Sequence, residues 1–124
     1  MSDLKKQIRP ALPALLRKEN MSVDELFQNS VLRPIIKLQN DLIISHFEHY
    51  LRRKRVIWQD FSVTQKKVFL QKAFNRDAQL KVGLRSLIIG LFTLEEFKQY
   101  LKNESQLNRR INIIIEKRVT DYFI

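Results

Sequence analysis

The 124-residue chain has no cysteine, which removes disulfides, thiol nucleophiles and thiolate metal sites from consideration. Histidine is almost as scarce. Only His46 and His49 occur, so a site built on several imidazoles has nothing to be built from. Two glycines and three prolines are too few to turn a strand-rich chain, and no segment alternates apolar and polar residues with a period of two. No glycine-rich loop is available to cradle a phosphate. Long hydrophobic runs are also missing: none approaches the ~18 residues of a membrane span, and the first ten residues lack the apolar stretch of a secretory signal. The expectation is a helical protein of a reducing, cytoplasmic setting that needs no membrane.

What is present supports a core. Hydrophobic residues make up 44% of the chain and eight are Phe, enough for one domain of this length to fold without a metal or disulfide staple. Charge is the other excess. Lys and Arg number 23 against 13 Asp and Glu, a formal charge of +10 that favours anionic partners without naming one.

The stretch from Ala78 to Phe92 organises the rest. At helical spacing Leu80, Leu84, Leu87, Ile88 and Leu91 form one stripe while Val82 and Ile89 fall opposite, the pattern of a helix enclosed by others. Gly83, Ser86 and Gly90 lie along one flank, and glycine inside a helix suggests close approach by a neighbour. Before this stretch, Pro10 and Pro13 make residues 1–20 an irregular arm, with Leu12, Leu15 and Leu16 available to dock. Ser22 with Glu25 forms a capping box, and Met21 can staple to Leu26. Pro34 then demands a kink or a new start near Ser30. From Leu32 to about Arg53 a single long stripe follows: Leu32, Ile35, Ile36, Leu42, Ile43, Phe47 and Tyr50.

Further starts are marked by Ser62 with Gln65, by Asp77, by Thr93 with Glu96, and near Ser105. Trp58 and Phe61 anchor the connection before the first of these. Val63, Leu70, Ala73 and Phe74 face inward from the helix after it, and Phe92 can staple to Phe97. Leu107, Ile111, Ile114, Ile115 and Tyr122 face inward from the last helix, leaving Ile113 and Val119 off its stripe. The sum is an all-α fold, a compact bundle of five or six helices around a central hydrophobic helix, with residues 21–124 as one domain.

Two segments, residues 27–42 and 90–111, resemble those of a family of small bacterial helical proteins that often carry the label "glyoxalase", and the resemblance extends from Met21 to the end. It implies a helical fold and a bacterial cytoplasm. The label itself fails on chemistry. Glyoxalases hold their metals with His, Glu and Asp clusters on sheet-based scaffolds, and two histidines on one predicted helix cannot supply them. No site residue is carried over.

For catalysis the residues offer little. His46 and His49 sit three apart, but the chain lacks even one of the Glu-x-x-His units that a helical di-metal site uses. Ser22, Ser62, Thr93 and Ser105 are taken up as caps. Gln39 and His46, one heptad apart on an apolar face, could line a small polar pocket, which is the best lead toward an enzyme. Residues 78–102 have a helix-turn-helix look, yet Glu95 and Glu96 stand where base edges would be met. A nonspecific surface is the better nucleic-acid reading, with Arg52, Arg53, Lys54, Arg55, Lys66 and Lys67 joined by Arg109, Arg110 and Lys117. The first expectation is a non-enzymatic protein, without cofactor or metal, that works through contacts with another protein or its own copy as a homodimer. Polyanion binding stands second.

Overall fold

In the computed structural model, which describes residues 4–10 and 22–124, four helix starts fall where the side chain of Ser22, Ser62, Asp77 or Thr93 satisfies a free backbone N–H group. α1 is a single turn, Leu4–Gln7. α2 covers residues 23–38 as two α-helical pieces, Val23–Phe27 and Arg33–Leu38, joined by a π-helical stretch, Gln28–Leu32. α3 is Asn40–Arg53, and a 3-10 turn at Trp58–Asp60 leads to α4, Val63–Arg76. α5 is Ala78–Ile89, α6 Leu94–Leu101 and α7 Glu104–Phe123. Among the described residues there is no strand, so the fold is all-α.

Three of the caps form as their residue types predict, whereas at Ser105 none does, because α7 begins at Glu104 behind Asn103 with no side-chain cap bond. Ser62 and Gln65 exchange bonds of 2.8 and 3.1 Å in a reciprocal box, and Thr93 and Glu96 do the same at 2.9 and 3.1 Å. Asp77 accepts from the Leu80 N–H at 3.1 Å. Ser22 accepts from the Glu25 N–H, but Glu25 meets the Ser22 hydroxyl rather than its backbone. Met21, Leu12, Leu15 and Leu16, with the staple and docking expected of them, lie outside the described residues.

Pro34 neither breaks α2 nor starts a new helix. Its missing N–H is absorbed by the wider turn just before it, where Arg33 donates to the Gln28 carbonyl five residues back. The long helix expected from Leu32 to Arg53 is instead divided at Gln39, whose φ and ψ of −90° and 7° turn the chain between α2 and α3. The turn changes the register. Leu42, expected inside, is 53% exposed, while Ile44 and Leu51 are buried in its stead.

α5 packs against α3, α4 and α7, and α7 packs against α3, α4, α5 and α6, so the centre is shared by two helices. Leu80, Leu84 and Ile88 of α5 are buried, and Leu87, Ile89 and Leu91 pack against the core. Enclosure is incomplete, because Val82 is half exposed. Val63 is also outside, while Val119 is fully buried and Tyr122 is 63% exposed, so the inner stripe of α7 runs through Leu107, Ile111, Ile115 and Val119. Successive steps of four drift round the helix, which carries the stripe away from Tyr122.

Aromatic rings close the far end of the bundle. Trp58 packs against Phe47, Phe69 and Phe123 and donates its indole N–H to the Phe123 carbonyl at 3.2 Å. At the other end, Phe92 meets Phe27 and Tyr100 edge-on rather than stapling to Phe97. The first residues are tied to the α5–α6 turn there: Arg9 forms a bidentate pair with Glu96 at 2.6 and 2.8 Å and donates to the Leu91 carbonyl, and Lys5 donates to the Phe92 carbonyl.

Candidate functional site

Gln39 and His46, the expected polar pair, both turn toward α5. The Gln39 amide donates to the Leu87 carbonyl at 3.0 Å. One turn earlier on α5, Gly83 leaves room for the His46 ring: a Cβ there would lie 3.1 Å from its Nε2. The small flank of α5 therefore has a tenant at Gly83. His46 Nδ1 is buried without a hydrogen-bond partner, and burial, with the charges of Arg53 and His49, lowers its pKa. Among the described residues no three His, Asp or Glu side chains gather as a metal site would require.

The basic residues fall on α3, α4 and α7. Arg52, Arg53, Lys54 and Arg55 are all exposed at the C-terminal end of α3 and beyond it, where Arg55 takes a left-handed φ of 56°. Lys66 folds over the Trp58 ring at 5.6 Å, and Lys67, about 100° further round α4, faces away from it. On α7, Arg109 is exposed and Arg110 borders a recess with Asp24 and Glu25. Lys117 sits further along α7. It lies in a groove between α2 and the C-terminal half of α7 with Arg33, Lys37 and Arg118. Among the expected polyanion residues, Arg52 to Arg55 form the densest cluster.

That cluster gains partners that periodicity did not single out. Lys54 shares a cleft of about 450 Å³ with Lys72 and Arg76 of α4, over Tyr50, Phe69 and Asp77. Asp77 is the one acid in it and is already engaged. It caps α5, accepts from the Tyr50 hydroxyl at 2.9 Å and lies 3.9 Å from the Lys54 ammonium. The Leu80 N–H leads, against some burial, in holding the Asp77 carboxyl below its ordinary range, with Tyr50 and Lys54 adding to it. Burial first, then Asp77, pushes the Tyr50 phenol up to about 12. Arg53 and Lys54 stand 6.0 and 5.6 Å from the Tyr50 ring. The cleft therefore sets three basic side chains over one engaged carboxylate, with a neutral phenol at its floor.

Charge along the chain agrees with this geometry. Between Arg52 and Arg85 there are ten Lys or Arg and only two acids, Asp60 and Asp77. Lys72 and Arg76 fall one helical turn apart on α4, a signal that could have been read from spacing. Comparison with known proteins adds no relative: no family model, curated protein or solved structure matches the chain. No helix among the described residues is long and apolar enough to cross a membrane.

Proposed function

We propose that the protein is a non-enzymatic binding protein that holds the phosphate backbone of a nucleic acid across the C-terminal end of α3 and the adjoining face of α4. The carrying observation is the convergence of Lys54, Lys72 and Arg76 on one cleft whose single carboxylate is spent on structure. Arg52, Arg53 and Arg55 extend the same charge outward, with no acid among the described residues within salt-bridge distance. Phosphate contacts of this kind give affinity without sequence preference. Fluorescence anisotropy of labelled single-stranded and duplex oligonucleotides tests the reading. Binding should fall steeply with salt and be lost in Lys72→Glu/Arg76→Glu; absence of binding by the parent chain at low salt would end it.

A second reading, contact with another copy of the chain, is favoured by α6. Leu94, Phe97 and Leu101 recur at helical spacing along its exposed side. Glu95 stands near the start of this stripe and Lys102 just past its end, so an antiparallel pairing of two α6 helices would set opposite charges across from each other. A dimer in light scattering that Leu94→Lys dissociates would support it; a monomer at high concentration would exclude it.

A further inference from the structure

We infer that the groove between α2 and α7 is a second anion site, distinct from the polyanion surface, and that it takes a nucleotide, with phosphate held by Arg33, Lys37, Lys117 and Arg118 and the base set against Tyr122. The groove has a volume of about 600 Å³. That lies within the range of small-molecule sites, roughly 300–1,000 Å³. Its floor includes Ile36, which is fully buried, and Ile114, which packs against the core, so the walls are fixed by the bundle.

Both guanidinium groups are oriented before any ligand arrives. Arg33 donates its Nε–H to the Asn29 carboxamide at 3.2 Å, and Arg118 donates from one terminal nitrogen to the Asn40 carboxamide at 3.0 Å. Each bond fixes the plane of the fork and leaves further N–H groups for a phosphate, the geometry in which arginine binds bidentately. Lys37 is exposed, and among the described residues Lys117 is held only by the solvent-exposed carboxylate of Asp121 at 3.3 Å. A phosphate dianion would compete well for that ammonium. Four cations against the single acid Asp121 leave the groove strongly positive.

Tyr122 selects among anions. It is 63% exposed at the groove, and Phe123 packs against it edge-on with ring centres 4.9 Å apart. A large ring held in place and left wet offers a face for another ring to stack on. The groove is also remote from the cleft of the proposed function. Asn40 and Arg53 are the two ends of α3, about 20 Å apart along a helix of this length. One phosphate cannot reach both sites.

Calorimetric titration of the full chain with ATP and, separately, with inorganic tripolyphosphate tests the assignment. ATP should bind saturably, Lys37→Glu/Lys117→Glu should weaken it by on the order of tenfold or more, and Lys72→Glu/Arg76→Glu should leave it unchanged. Tyr122→Ser should weaken ATP several-fold while tripolyphosphate binding stays as it was. Lys37→Glu alone, at an exposed position, serves if the double variant fails to fold. Absence of ATP binding at millimolar concentration, or binding indifferent to the Lys37 and Lys117 changes, would overturn the site; equal sensitivity of ATP and tripolyphosphate to Tyr122→Ser would overturn the base contact. Loss of oligonucleotide binding in Lys72→Glu/Arg76→Glu, with ATP binding kept, separates this site from the polyanion surface.

Discussion

Arg9 and Glu96 are an expensive pair to hide, with side chains only 7% and 10% exposed. Glu96 already caps α6, so its carboxylate binds the Thr93 N–H and the Arg9 fork at once. Burial works against its charge, but the Arg9 hydrogen bonds and the Thr93 N–H prevail and hold the carboxyl below its ordinary 4.5. A depressed carboxyl stabilises the fold above its unfolded value, and that stability is lost as pH falls through the folded value. Acid titration by circular dichroism should therefore show stability declining below pH 4.5, and Glu96→Gln should flatten this decline. Arg9→Ala leaves the carboxylate buried and unpaired and should cost about 3–5 kcal/mol by denaturant unfolding. Gly83 presents the opposite case, a residue important for what it lacks. Gly83→Ala would gain about 1 kcal/mol of helix propensity but press its Cβ on the His46 ring at 3.1 and 3.3 Å. The single change should therefore gain less than its helix propensity, and in a His46→Ala background it should gain more; a cycle with no coupling between the two would contradict the packing.

At the scale of the helix, the turn at Gln39 decides which leucines matter. Leu42 and Leu51 carry the same side chain, yet Leu42 is 53% exposed and Leu51 only 6%. Leu42→Ala should stay within about 0.5 kcal/mol of the parent. Leu51→Ala should cost roughly 2–5 kcal/mol, and the reverse order would restore an uninterrupted helix from Leu32 to Arg53. Where caps are local, as at Ser62 with Gln65, Thr93 with Glu96 and Asp77, the residues three apart reveal the boundary unaided. The Gln39 turn has no such local sign. Its side chain is satisfied by Leu87, 48 residues away, and the wide turn before Pro34 likewise depends on where the remainder of α2 must pack. Periodicity assumes one axis, so it misplaced Leu42, and in the first turn of α4 and the last turn of α7 it misplaced Val63 and Tyr122.

For the molecule as a whole, the excess of positive charge was legible from composition, but its division was not. Arg52 to Arg55 were visible as a run, whereas Lys72 and Arg76 join Lys54 only because α4 returns beside the end of α3. Arg33, Lys37 and Arg118 come together with Lys117 across more than 70 residues, a distance that no local pattern bridges. The separation makes a quantitative expectation. If the α3 and α4 cluster neutralises backbone phosphates, each contact releases condensed counterions, and the logarithm of the binding constant falls linearly with that of salt, by about 0.9 per contact on duplex and 0.7 on single strands. Lys72→Ala/Arg76→Ala should therefore flatten the plot by about 1.4 to 1.8, two contacts' worth, while Arg109→Ala/Arg110→Ala, on α7 and away from the cleft, should leave the slope as it was. The helical dichroism of both variants should match the parent, because all four side chains are exposed. Equal flattening by the two pairs would mean that charge acts diffusely over the whole surface, and the cleft would lose its claim to be a site.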